Sequence, residues 1–379
     1  MSEAPLRLAL VGGGTGGHVV PGLHLLAHAR KRSLETETLW FGAGRQIENR
    51  VFAGAGTPDR GAPTAESTLT RVALSLEPPG GGAPSRLRLA LSLGPAVRQA
   101  RKELRKHRIS VCLGLGGYTV VPVVLAARSL GIPVLLLEVN AEPGLATRWL
   151  SRFAHVVAHA WPSSVPTTGR ANHVVLGPPL APRFFTELPD AARKSFLRRA
   201  LGFDPERPLL LVLGGSQGAL GLNRFCRDNA SAFTDRGVQV LHQVGPKRKE
   251  EGAAEAGGYR PVEFIDDVCL ALDASDVVLC RGGASTLAEV AARGVPAFVV
   301  PYPHHPDDHQ EKNARVFGDG LRILPEAELG EEALREILAL VLPEGADERR
   351  RRSRSLSAHA PRDGANRLLD LILDQVEEV

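Results

Sequence analysis

His18 closes the stretch GGGTGGH, in which five of the six preceding positions are glycine. Imidazole titrates close to neutrality, so a histidine at a glycine turn can take or give a proton. The alternative role is structural or phosphate-binding. Glycine lets the backbone approach a ligand closely and bares N–H groups at a helix start, where the dipole favours negative charge. The pattern of apolar strand, glycine pair and helix occurs four times: LALVGGGTGGHVVP, VCLGLGGYTVVP, LLVLGGSQGALGLN and VVLCRGGASTLAE. In the third copy, the hydroxyl of Ser216, the amide of Gln217 and the N–H groups of Gly218 and Ala219 suit a diphosphate. In the fourth, Ala284, Ser285 and Thr286 open a helix and Glu289 lies one turn further on. A carboxylate there can accept from both hydroxyls of a ribose, unless it is simply a helix-surface residue. PYPHHPDDHQEKNA then sets polar side chains on a loop after a strand, where a sugar would sit. Several such turns in one chain point to a phosphorylated ligand.

Gly12, Gly14 and Gly17 also satisfy the G-x-G-x-x-G spacing of dinucleotide sites. That reading requires an acid at the end of the second strand to hold the ribose. The strand TLWFGAGR ends in glycine, with Glu35 and Glu37 lying before it, which argues against a nicotinamide cofactor. No D-x-D occurs, so no metal is expected. His304, His305, Asp307, Asp308 and His309 could instead hold one, although a sugar-binding loop explains them equally. Cys112, Cys226, Cys269 and Cys280 have no metal-site spacing and read as buried thiols.

These residues need a scaffold. Runs such as LRLALV, SVCLGLG, VPVLLLEV and PLLLVLGG are apolar at successive positions, as strands covered on both faces are. VQVLHQVG, VEFID and PAFVVPYP are further strand candidates, and helices such as STLAEVAARG alternate with them. The chain has 379 residues, and two glycine turns fall in each half, with the Pro- and Gly-rich PTTGRANHVVLGPPLAPRFF between as a hinge. Two doubly wound α/β domains facing a cleft are expected, with ligands beyond the carboxyl ends of the strands. LEPPGGGAPS reads as a loop, and ERRRRSRS as a solvated helix face.

The net charge of +4 is mild, aromatic residues make up 5%, and no RNA-binding signature occurs, so no nucleic-acid partner is expected. No apolar run is long enough to span a bilayer, and MSEAPLRLALVGGG lacks the marks of a signal peptide, so a cytoplasmic location is expected. Arg86–Arg108 carries eight Lys or Arg against one Glu, interleaved with leucines, and suits either an anionic lipid surface or an ordinary surface helix.

In order, GGGTGGHVVP, GLGGYTVVP, GGSQGALGLN, RGGASTLAEVAARGVPAFVVPYP and DDHQEKNA resemble the motifs of the MurG family, over roughly Leu6 to Asn313. Its members transfer N-acetylglucosamine from UDP-N-acetylglucosamine to undecaprenyl-linked muramyl-pentapeptide in peptidoglycan synthesis. The resemblance implies a GT-B fold, with an acceptor-binding, membrane-facing domain over 1–176 and a UDP-sugar-binding domain over 177–355. A final helix within 356–379 would return to the first domain. It further implies that Thr15, Gly16, Gly17 and His18 face the acceptor diphosphate with Tyr118 nearby. Ser216 and Gln217 would contact the donor diphosphate and sugar, Phe264 and Ile265 the uracil, and Glu289 the ribose. Asn140, His309 and Gln310 would recognise the N-acetylglucosamine, and His18 is the candidate base for an inverting, cofactor-free transfer. The implied location is peripheral, on the cytoplasmic face of the inner membrane.

Three departures stand out. H-E-Q-N of the family is LEVN here, keeping Glu138 and Asn140; R-A-G-A-S-T is RGGAST; and G-N-P-V-R is GPPLA, without its arginine. Arg183 is the candidate to replace that arginine as a donor contact. The alternatives are a related transferase acting on another lipid acceptor, a nucleotide-sugar epimerase, and a non-catalytic paralogue that binds the UDP-sugar.

Overall fold

The computed structural model describes residues 5–14, 16–54, 67–76, 83–169, 172–246, 255–304, 307–360 and 363–377, with backbone alone at 47, 54 and 83–90. The chain divides into two compact units, Met1–Pro182 with Arg362–Val379, and Arg183–Pro361.

The first unit is built on strands β1 (Leu6–Val11), β2 (Thr36–Gly42), β3 (Thr68–Ala73), β4 (Val111–Gly114), β5 (Val134–Glu138), β6 (Val156–His159) and β7 (His173–Val175). They form one parallel sheet in the order β3-β2-β1-β4-β5-β6-β7. The second unit carries β8 (Leu209–Leu213), β9 (Gln239–Gln243), β10 (Tyr259–Val262), β11 (Val277–Cys280), β12 (Ala297–Val299) and β13 (Leu321–Ile323), parallel in the order β10-β9-β8-β11-β12-β13. Each sheet runs outward in both directions from its first strand. The points where the order reverses, β1 beside β4 and β8 beside β11, are where open α/β sheets bind ligands. All four glycine turns lie at those points.

The central strands β4, β5, β8 and β11 are buried along their whole length, as unbroken apolar runs must be when helices cover both faces. Edge strands were harder to read. TLTRVA (β3) is exposed at four of its six positions and HVV (β7) lies inside the stretch read as hinge. VEFID is not a strand: β10 is the preceding YRPV, and Glu263–Asp266 form the turn after it. The unit division falls six residues beyond each boundary read from sequence, at 182 rather than 176 and at 361 rather than 355. The physical reason is that GPPLA is held on the first unit. His24 Nδ1 donates to Pro179 O (3.1 Å) and His28 Nε2 to Leu180 O (2.8 Å), both from helix Val20–Lys31.

The last helix, Gly364–Glu377, buries Ala365, Leu368, Leu369 and Ile372 in the first unit. Its Asn366 pairs with His28 (2.9 Å), and its Asp370 with Arg32 (2.5 Å). The four cysteines are buried and free, and burial pushes the thiols of Cys112, Cys269 and Cys280 up to about 12.

Beneath the third glycine turn lies a buried polar chain. His242 Nδ1 accepts from Tyr259 OH (2.5 Å), His242 Nε2 donates to Asn223 Oδ1 (3.1 Å), and Asn223 Nδ2 donates to Val244 O (2.9 Å). Burial lowers His242 from 6.5 to about 3. The unfolded chain therefore binds a proton there that the folded chain refuses. Stability from this residue is complete above pH 6.5 and drains as pH falls toward 3. Urea unfolding of His242→Gln should show about 2 kcal/mol less acid loss than the parent between pH ~6.5 and ~4.5. Equal acid loss in the two proteins would show that His242 titrates normally.

Candidate active site

At the switch point of the first sheet, GGGTGGH leaves β1 and GLGGY leaves β4. Trp40 Nε1 on β2 donates to Gly12 O (2.9 Å) and so braces the first turn. Buried Glu48, on helix Gln46–Gly54, accepts from the N–H groups of Gly14 (2.7 Å), Ala43 (3.1 Å) and Gly44 (3.0 Å). An acid therefore does meet the carboxyl ends of β1 and β2, but it arrives from a helix and is spent on backbone. Sequence reasoning missed it because it looked at the strand end itself. The Gly14 N–H, expected to face an anionic ligand, faces this carboxylate instead.

His18 packs against the second turn, where a Cβ on either Gly116 or Gly117 would sit 3.0 Å from its ring. Both glycines have positive φ (104° and 82°), so the approach and the backbone each demand glycine. His18 Nδ1 donates to Gly13 O (3.2 Å), which makes Nε2 the basic nitrogen. Burial pushes its pKa below 6.5, partly offset by the Gly13 hydrogen bond and the charge of Glu138. The ring is therefore neutral at physiological pH, the state a general base requires. Tyr118 lies beside Gly14, with the Arg45 guanidinium 5.9 Å from its ring centre. Gly16 is buried and Gly17 exposed, in a single turn of 3₁₀ helix, Gly16–His18. Thr15 lies outside the described residues.

At the end of β5, Glu138 is buried and fully occupied. It accepts from Asn140 N (3.0 Å), Asn140 Nδ2 (2.9 Å), Gly144 N (2.9 Å) and Thr147 Oγ1 (2.6 Å). It thereby closes the loop that presents Asn140 and ties it to the start of helix Leu145–Leu150.

In the second unit, GGSQG leaves β8 and lies backbone against backbone on Val244–Gly245. A Cβ on Gly218 would fall 2.0 Å from Val244 O. Ser216 is half-buried and Gln217 exposed. Gln243, at the end of β9, ties this turn to the next segment: its Nε2 donates to Gly215 O (2.9 Å) and its Oε1 accepts from Ile265 N (2.9 Å). That places half-buried Phe264 and buried Ile265 in register with the Ser216 turn. Arg183 NH1 donates to Asp267 Oδ1 (2.9 Å), two residues beyond Ile265, and Asp267 also caps helix Val268–Ala274.

RGG leaves β11 and opens helix Ala284–Ala292, in which Glu289 is buried rather than lying on a solvated face. Gln310 Oε1 accepts from Gly282 N (3.1 Å) and Tyr302 N (3.0 Å), and Asn313 Nδ2 donates to Gly282 O (3.1 Å). Thus helix His309–Arg315 is clamped to the RGG turn, with His309 Nε2 3.4 Å from Asp307. Gln243 and Asn313 were not singled out from sequence. Each is a buried amide bonded to backbone, Gln243 to two groups and Asn313 to Gly282 O, a role with no linear signature. Among the described residues no group of three or more His, Cys, Asp or Glu side chains converges as a metal site; His305 lies outside them.

Residues 8–159 match the glycosyltransferase family 28 N-terminal domain and residues 209–368 the glycosyltransferase family 28 C-terminal domain. The UDP-N-acetylglucosamine–N-acetylmuramyl-(pentapeptide) pyrophosphoryl-undecaprenol N-acetylglucosamine transferase of Paenarthrobacter aurescens is 37% identical, over 99% of this chain and 98% of its own length. The protein of the same name from a Nocardioides species is 38% identical, over 97% and 98%. The chain belongs to the MurG family. It is a glycosyltransferase of the GT-B fold, as the sequence motifs led us to expect. The crystal structure of MurG from Acinetobacter baumannii has the same fold, with a TM-score of 0.68 at 24% identity, covering 98% of this chain and 100% of that one. At GPPLA two helix histidines hold the carbonyls of Pro179 and Leu180.

Proposed function

We propose that the chain transfers N-acetylglucosamine, with inversion, from UDP-N-acetylglucosamine to the 4-hydroxyl of undecaprenyl-linked muramyl-pentapeptide. The observation that carries this reading is the near full-length likeness to transferases named for that reaction. In it, the unit Met1–Pro182 with the last helix binds the acceptor and Arg183–Pro361 binds the donor. The muramyl oxygen attacks the anomeric carbon, its proton passes to His18 Nε2, and the bond to UDP breaks with the electron pair leaving on the diphosphate. N–H groups of the Ser216 and Gly283 turns, with the helix dipoles behind them, offset that charge. Phe264 and Ile265 contact uracil, and Glu289 the ribose. Asn140, His309 and Gln310 contact the sugar, and Arg183 the donor from its place beside Asp267. Thr15, Gly16, Gly17 and Tyr118 meet the acceptor diphosphate. The test is transfer of labelled N-acetylglucosamine to a lipid-linked muramyl-pentapeptide analogue with EDTA present. Labelled product is expected; bound donor without product would point to another acceptor or a silent paralogue.

Gln243→Leu should raise the donor KM about tenfold and change kcat less, because it strands Gly215 O and Ile265 N without partners. Steady-state kinetics with varied donor will check this, and an unaltered KM would separate Gln243 from donor binding.

For the lipid acceptor to be reached, we place the chain peripherally on the cytoplasmic face of the membrane. Helix Ala83–Lys106 turns Ala96, Ala100 and Leu104 inward. Its basic residues suit anionic lipid, and among the described residues no helix is long and apolar enough to cross a membrane. Binding to phosphatidylglycerol vesicles should be lost at high salt and on neutralising Arg98, Arg101 and Arg105. Vesicle binding indifferent to both changes would rule out this helix.

A further inference from the structure

The basic run ERRRRSRS lies on helix Ala346–His359 and does not behave as a uniformly solvated face. Arg351 and Arg352 turn to Glu348 on their own helix. Arg349, Arg350 and Arg354 line a cavity of about 450 Å³ in the second unit, with Arg350 also paired to Asp347 on its own helix. Its other walls come from Leu188–Pro189, from Ser275–Asp276 just before β11, and from Gly294–Pro296 just before β12. The cavity therefore opens at the amino ends of β11 and β12, whereas the glycine turns lie at the carboxyl ends. Four residues of β11 at about 3.3 Å each separate the two.

Lys194 and Arg293 complete the cationic lining, and only Asp273 and Asp276 oppose it, an excess of three positive charges. Those acids are already engaged. Asp273 is paired with Arg293, whose NH1 and NH2 also donate to carbonyls of Thr186 and Glu187. Asp276 holds Arg198 (2.6 Å), Lys194 (3.4 Å) and Leu209 N (2.9 Å). Arg349 spends NH1 on the carbonyls of Leu340 and Leu342, and Arg354 has no ion pair among the described residues. Burial holds both Lys194 and Arg349 below their ordinary pKa values although Asp276 pulls the other way, helped by repulsion from Arg198 at both, from Arg349 at Lys194 and from Arg350 at Arg349. Positive charge along this cavity thus exceeds the acids beside it, even with Asp347 paired to Arg350.

We propose that this cavity binds a small phosphate-bearing ligand, at a site separate from the donor turns. Its volume falls in the range of about 300–1,000 Å³ usual for small-molecule sites. Guanidinium forks match phosphate oxygens in pairs, and the apolar wall of Leu188, Pro189 and Pro296 receives an uncharged part of the ligand.

The test is calorimetric titration of the full chain with inorganic pyrophosphate in saturating UDP. One pyrophosphate per chain is expected, weakened about tenfold or more in Arg350→Glu/Arg354→Glu and unchanged in Arg335→Glu, an exposed charge reversal elsewhere. Without UDP, a second equivalent appears if the donor reading holds. If that reading fails, the count stays at one and is still weakened by the double variant. No binding beside UDP, or equal binding in parent and double variant, overturns the proposal, as does equal loss in Arg335→Glu. Arg354→Ala serves should the double reversal unfold the chain, with weaker binding expected and equal binding again overturning it. Sedimentation with phosphatidylglycerol vesicles separates the sources of this chemistry: a headgroup if the double variant sediments less than the parent, a soluble compound if the two sediment alike.

Discussion

Replacing His18 with alanine is expected to lower kcat by about two orders of magnitude or more while leaving the donor KM nearly unchanged. The expectation rests on tautomer and charge together. Gly13 O holds the proton on Nδ1, and burial keeps the ring neutral, so Nε2 is the basic nitrogen at physiological pH. The same facts set the pH profile. A base whose pKa lies below 6.5 is protonated only in acid, so kcat/KM should hold level through neutrality and fall on the acid side of pH 6.5. In His18→Ala that acid limb should disappear with the rate. His18→Asn refills part of the space beside Gly116–Gly117 without restoring a base, so it should remain slow. An unchanged kcat in either variant would remove His18 from the chemistry, whereas a raised donor KM with normal kcat would make it a binding residue.

Gly218→Ala should be the most damaging single methyl in the second unit. Gly218 has φ +76°, and the added Cβ would lie 2.0 Å from Val244 O, an atom of the backbone that cannot rotate away. Gly215, in the same turn, has φ +82° but open space where its Cβ would go. Gly215→Ala therefore carries only the left-handed strain of about 1–2 kcal/mol. Gly218→Ala adds a collision that must push the turn off Val244–Gly245, for a total loss of about 3 kcal/mol or more. Urea midpoints of the two variants, with UDP affinity beside them, make the comparison. We expect Gly218→Ala to lose both stability and UDP binding while Gly215→Ala keeps most of each. Equal behaviour would mean that the close approach is not what holds the turn.

Much of the scaffold was legible because buried parallel strands are unbroken apolar runs. LRLALV, SVCLGLG and PLLLVLGG can be nothing else when a glycine turn and a helix follow them. The short edge strands escaped. TLTRVA is exposed at four of its six positions and buried at none, and HVV hides among prolines and glycines, so neither carries enough apolar surface to stand out. VEFID misled for the opposite reason: Phe264 and Ile265 are apolar because they lie at the end of a strand, not within it.

The chain's own residues determined the repeated strand–glycine–helix plan and the family it belongs to, because these depend on local spacing and on side chains that must alternate along the backbone. Only the tertiary structure decided what each polar group is spent on. Glu48 closes the first glycine turn, Gln243 joins the Ser216 turn to the Ile265 segment and Asn313 locks the RGG turn. His24 and His28 hold GPPLA from 155 and 152 residues away in sequence. A buried hydrogen bond needs its partner within about 3 Å in space and imposes no spacing along the chain. Such pairings are therefore invisible until the sheets bring their ends together.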